Sequence, residues 1–282
     1  MQTIVYKWGQ DNNQEFNRDK FESISFSIDG SSQLYYDPWG KPIPSKNDVK
    51  DLGVIFSSDI SFRTHIQTLA AKGKKLTGWV LRVFDSKDEL TMLTLLKSVI
   101  ISSMEYCSII WSPTDAENIN TLEKIQRNFT KKIYGLSGLH YWDRLAKLKL
   151  YSLQRRRERY AIFYIWKIIL EIVPNPGIKY NTVDREGGIL LDVPQTRNLP
   201  TKLRENSFFC HGPKLFNSLP SHLRKLTTYE GEGDEKVDEV GINEIKKVLD
   251  KFFLTIPDEP IFSQYRNAKT NSLVDQIKYA KL

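Results

Sequence analysis

A chain of 282 residues has room for one large domain or two modest ones, and for a sizeable hydrophobic core, which excludes a small cross-linked scaffold. Its 41 lysines and arginines against 34 acids leave +7, and 40% apolar with 12% aromatic residues is a folding composition with a basic lean. Two cysteines, Cys107 and Cys210, make neither a disulfide framework nor a four-ligand zinc site, and no stretch near 20 apolar residues occurs, so an intracellular, reduced protein without a membrane span is expected.

Residues 21–28 (FESISFSI) alternate enough to predict a strand, and 51–56 (DLGVIF) predict another, separated by a connection carrying Gly30, Pro38, Gly40, Pro42 and Pro44. A lone two-stranded sheet is marginal in water, so these strands read as a fragment needing partners. From Ser61 the period becomes helical. Phe62, Ile66, Leu69, Gly73, Leu76, Val80 and Val83 form one stripe of a long helix, with close approach to a neighbour allowed at Gly73. Ser86 with Glu89 reads as a capping box before a helix apolar on most sides, and Thr114 with Glu117 as another before a stripe of Ile119, Leu122, Ile125, Phe129 and Ile133. Gly135 and Gly138 stop that helix. A short segment, 141–150, leads through Ser152 into a helix that ends before Pro174. Residues 174–200, rich in Gly and Pro, read as a boundary or long connection, and 213–217 and a helix over 242–254 follow.

The expected fold is mainly α, a helical bundle with a small N-terminal β portion (α+β overall). Three regions are expected: 1–58, a helical domain over 59–174, and a C-terminal region over 175–282 with an acidic insert at 228–241. Charge is uneven along them. Residues 121–160 hold eleven bases against three acids, a net of +8, interleaved with Phe129, Tyr134, Tyr141, Trp142, Tyr151 and Tyr160. Residues 228–260 hold ten acids and four bases, which reads as a solvated loop at the insert. Dense cations release condensed counterions from nucleic acid and rings offer stacking faces, so a phosphate-tracking surface is expected. The alternative is that these bases are only the solvated faces of amphipathic helices.

Signatures of catalysis are missing: the sequence contains no GxGxxG, GxxxxGK[ST], HExxH, GxSxG or CxxC, and no adjacent aspartates for a two-metal site. Cys210 and His211 are sequence neighbours that would point apart on an extended chain, and His65, His140, His211 and His222 lack metal-ligand spacing.

The landmarks run in a telling order: Trp8, Asn12, FNRDKFE at 16–22, KDLGV at 50–54, a long helix, YCSIIWSP at 106–113, LEKIQR at 122–127, DRL at 143–145, SLQRRR at 152–157 and FNSLP at 216–220. The series resembles the C-terminal part of the reverse transcriptase of non-LTR (LINE-type) retrotransposons, from the late palm through the thumb and beyond. The resemblance implies a thumb-like bundle after a palm remnant. Lys20 matches the lysine that in such enzymes lies near the incoming nucleotide to protonate departing pyrophosphate, and Leu52, Gly53 and Val54 match the primer-grip hairpin, with a tight backbone at Gly53 letting Leu52 and Val54 pack beneath the primer end. The charge block together with the landmark order makes Lys124, Arg127, Lys131, Lys132, Arg155, Arg156 and Arg157 the candidates for contact with the phosphates of an RNA or RNA–DNA duplex. The family's metal-binding aspartates lie on segments not in this sequence. The expectation is therefore a fragment that binds template-primer but is no enzyme as it stands. No cofactor is expected, Mg belonging to the intact parent polymerase, and the missing palm and fingers portion is a further expected partner. The competing expectation is a structural or protein-interaction module whose bases pair with acids of the insert or of a partner.

Overall fold

The computed structural model describes residues 2–14, 16–26, 34–37, 39–194, 207–225, 239–260 and 271–280. The protein is mainly helical, with two small antiparallel sheets among the described residues. It divides into two compact units, Met1–Thr68 and Leu69–Leu282.

In the first unit, helix α1 (Gln2–Asp11) carries Tyr6, whose ring sits 5.3 to 5.6 Å from the rings of Phe16, Phe21 and Trp39. The strand expected over 21–28 does not form in its described part. Only a single bridge joins Ser23 to Ser45, because the facing segment carries Pro42 and Pro44, which have no N–H to extend a ladder; residues 27 and 28 lie outside the described residues. Nor is 51–56 one strand. It is the turn and second arm of a hairpin, β1 (Asp48–Asp51) paired with β2 (Val54–Ser57), closed by Leu52 and Gly53 at φ +43° and +92°. Two successive left-handed residues match the twist of a two-residue hairpin, and the glycine adopts its conformation without strain. Imidazole Nδ1 of His65 accepts the Ile55 N–H at 3.2 Å, tying the hairpin to the start of α2 (Arg63–Val83).

The rest of α2 opens the second unit. A Cβ on Gly73 would meet Met104 Sδ at 2.9 Å and Ile125 Cγ2 at 3.2 Å, so the expected close approach is real. Helix α3 (Glu89–Leu95) continues through a π-helical stretch (Leu96–Ile101) into α4 (Ser102–Glu105), and α5 (Ser108–Trp111) follows a left-handed Cys107. The N-caps are not the expected ones. Asp88 caps α3, receiving the Thr91 N–H, and Asp115 caps α6 (Ala116–Thr130), receiving the Asn118 N–H. Aspartate outcompetes the nearby hydroxyl because a carboxylate also meets the positive helix end. The stripe of Ile119, Leu122, Ile125, Phe129 and Ile133 is buried as expected, and α7 (Tyr141–Lys147) follows.

Helix α8 (Leu153–Ile169), capped as expected by Ser152, is the axis of the unit. Residues 175–282 do not form a separate region, since their apolar residues join the core of α8. A hairpin of β3 (Tyr180–Val183) and β4 (Ile189–Leu191), α9 (Phe208–Asn217), α10 (Glu239–Thr255) and α11 (Leu273–Ala280) contribute Leu191, Leu215, Phe216, Leu249, Phe253 and Ile277 to one cluster with Ile162, Ile165 and Trp166. The FNSLP motif has a structural role there. The Asn217 amide exchanges two hydrogen bonds with the Leu191 backbone, at 3.0 and 2.8 Å, between the buried Phe216 and Leu219. Residues 226–238, most of the acidic insert, lie outside the described residues.

Trp166 is fully buried and meets Phe216 edge-on at 5.1 Å. Trp166→Ala is expected to cost about 3–5 kcal/mol, the scale for a large aromatic deleted from a core. Urea denaturation followed by circular dichroism measures it, and a loss below about 1 kcal/mol would mean that α8 and the C-terminal helices do not share one core.

Candidate nucleic-acid interface

Of the cations expected at phosphates, those of α8 are buried or paired with acids. Arg155 is wholly buried and its Nη2 donates to the Pro257 carbonyl at 2.9 Å. Arg157 is 5% exposed, and burial lowers its pKa against the opposing pull of Glu123, Glu105 and Glu158. Arg156 is half-buried in a two-pronged pair with Glu105 at 2.6 and 2.8 Å, and Arg159 in another with Asp250 at 2.5 and 2.7 Å. Sequence counting could not separate these from surface bases, because the acids paired with Arg156 and Arg159 lie 51 and 91 positions away.

Those acids build a buried polar hub. Glu123 accepts the Leu153 N–H at both oxygens, 3.2 and 3.1 Å, and Asp258 accepts the Ser152 N–H and hydroxyl at 2.6 and 2.8 Å, so two carboxylates satisfy the orphan donors that open α8. Glu158 does the same for α11, accepting the Leu273 N–H at 2.9 Å. Burial raises all three carboxyl pKa values, that of Glu158 to about 7.

The remaining expected cations do cluster. Lys124, Lys131 and Lys132 are exposed and Arg127 half-exposed, along the end of α6. Beside them a cleft of about 420 Å³ lies between α6 and α7, lined by Arg127, Asn128, Lys131, His140, Trp142 and Arg144 among others. Its floor is rigid. Arg144 donates to the carbonyls of Leu139 and Arg127 at 2.6 and 3.0 Å, closing the C-terminus of α6, and the Tyr141 hydroxyl bonds Glu123. The Arg127 guanidinium stands over the Tyr141 ring at 4.7 Å.

A second cationic surface was missed by counting charge in the 121–160 block. Helix α2 contains Arg63, Lys72, Lys74, Lys75 and Arg82 and no acid. Lys72, Lys75, Trp79 and Arg82 recur at intervals of three and four and are all exposed, forming one stripe. None of these four residues, nor Lys124, Lys131 or Lys132, has a carboxylate within ion-pair distance among the described residues. The signal was present in the sequence, as bases falling on the face opposite the apolar stripe.

The first unit places its candidates apart. Lys20 is exposed at the end of a 3₁₀ turn (Arg18–Lys20). Leu52 is 83% exposed at the hairpin tip while Val54 is buried, so the two do not share a surface. Cys210 is buried in α9, not on an extended segment, with its sulfur 4.0 Å from the Pro194 carbonyl; burial lowers the neighbouring His211 to about 4. Among the described residues no helix is long and apolar enough to cross a membrane, and no group of three or more His, Cys, Asp or Glu is placed to hold a metal ion. Comparisons with family models, curated proteins and solved structures find no match.

Because Glu158 is raised from 4.5 to about 7, folding takes up a proton there: its stabilisation is complete below about pH 4.5 and lost as pH rises through about 7. Glu158→Gln, neutral throughout, should therefore gain stability relative to the natural chain as pH goes from about 5 to about 8. Denaturation midpoints across that range test this, and parallel profiles for the two chains would contradict it.

Proposed function

We propose that this chain is a nucleic-acid-binding helical module that holds a phosphate backbone without reading its sequence. The observation that carries the reading is the separation of its cations into two classes. The arginines of α8 are buried or paired, while Lys72, Lys75 and Arg82 of α2, a helix without an acid, and Lys124 and Lys131 at the end of α6 are exposed with no ion-pair partner among the described residues. Exposed unpaired lysines gain little from folding, and their strongest electrostatic return comes from a polyanion that sheds counterions on contact. Trp79, 45% exposed within the α2 stripe, adds a ring to the same face.

The two helices approach one another at Gly73 and Ile125, so both surfaces belong to one rigid element of the second unit. On this reading Lys72, Lys75, Arg82, Lys124, Arg127 and Lys131 make the phosphate contacts, in place of Arg155, Arg156 and Arg157. The reading agrees with the resemblance to the thumb region of non-LTR reverse transcriptases, where an RNA or RNA–DNA duplex is the partner. It is a proposal of binding, not of polymerisation.

Fluorescence anisotropy with a labelled RNA–DNA duplex, titrated between about 50 and 300 mM salt, tests it. Log affinity should fall with log salt at a slope of several units, and Lys72→Ala with Lys75→Ala should reduce that slope by about one per contact removed. Lys246→Ala, an exposed lysine of α10, should leave it unchanged. A slope near zero would overturn the proposal.

A further inference from the structure

The cleft between α6 and α7 differs from the rest of the cationic surface in being concave. Its volume of about 420 Å³ lies within the range of small-ligand sites. Three of its lining residues, Arg127, Lys131 and Arg144, are cationic and none is a carboxylate. Arg144 has spent its donors on Thr130 Oγ1 and on the carbonyls of Arg127 and Leu139, so it serves as floor. Arg127 has not. Among the described residues its guanidinium makes no side-chain hydrogen bond and stands 4.7 Å over the Tyr141 ring at the cleft lining. One turn along, Lys131 is exposed on the same side.

The wall opposite is aromatic. Trp142 is half-buried, with its ring 4.9 Å from that of Tyr141, which is itself pinned by Glu123 below and by Arg127 above. Asn128 and His140 bring an exposed amide and imidazole to the same lining. An anion site beside an indole face and hydrogen-bonding side chains has the three parts that a nucleotide requires: a place for phosphate, a stacking surface, and groups for the edge of a base. A flush duplex keeps its bases stacked inside and could offer this cleft only phosphates. A single strand, or a frayed end, can turn a base into it.

We infer that this cleft is a seat for one unpaired nucleotide, its phosphate held by Arg127 and Lys131 and its base laid on Trp142. The inference rests on the nucleic-acid reading above and adds to it a preference for single-stranded segments at one position. Base stacking on one ring is worth about tenfold or more in affinity when the ring is removed.

The experiment uses the full chain and two probes, a single-stranded oligonucleotide of about 12 nucleotides and a flush duplex of equal length, with site size as the guide to length. Trp142→Ala should weaken the single strand about tenfold and leave the duplex within about twofold, and Trp142→Phe, which keeps a ring, should restore most of the loss. Circular dichroism melts of each variant confirm that it folds. Titration of a nucleoside monophosphate should compete with the single strand and not with the duplex. If the chain binds both probes and Trp142→Ala leaves their ratio unchanged, the seat is refuted while the surface reading stands. If neither probe binds at low salt, the surface reading fails and the seat with it.

Discussion

The second unit depends on one constraint: α8 begins in the protein interior, and a helix that begins there must find partners for its first N–H groups without water. Glu123 and Asp258 supply them, one from α6 and one from the segment after α10. Each carboxylate is costly to bury, as their raised pKa values record, and each is tolerable because it meets a helix end and nearby guanidinium groups. Arg155 and Arg157 are the counterpart of that arrangement. Their positive charge offsets the buried acids, so they are drawn inward and cannot also serve a ligand at the surface.

This sorting of charge decides what the outside of the protein can do. A basic excess of +7 spread at random would say little. With the arginines of α8 held inside or paired, exposed positive charge is concentrated on α2, which has no acid, and around the end of α6. Arg144 shows how structural and functional roles separate within a few residues. It binds the Arg127 carbonyl in the last turn of α6, whereas the Arg127 guanidinium makes no side-chain hydrogen bond among the described residues and lies over the Tyr141 ring.

Much of the helical scaffold was legible in the sequence. The stripes of α2 and α6, the close approach at Gly73, the Ser152 cap and the helix before Thr255 follow from periodicity and from local side-chain chemistry. What local pattern could not give were features set by distant partners. The strand over 21–28 was lost to the prolines facing it, the 51–56 strand to a turn at Leu52 and Gly53, and the boundary near 174 to a core shared across it. The same holds for the candidate site. The cluster of Lys124, Arg127, Lys131 and Lys132 was visible as charge density, but SLQRRR reads as surface until Glu105, Asp258 and Asp250 are seen to face it, and α2 was overlooked because its bases are diluted over a longer stretch.

The capping of α8 by a carboxylate 106 positions downstream also orders events in time. A ribosome delivers α6 and α8 well before Asp258 leaves the exit tunnel, so the nascent helix waits with its Leu153 N–H bound by Glu123 while the Ser152 N–H stays hydrated. Closure of the interior is thus reserved for the last part of synthesis, and a product cut short before that aspartate would keep the pairs of Arg156 and Arg159 but leave Arg155 without one of its facing acids.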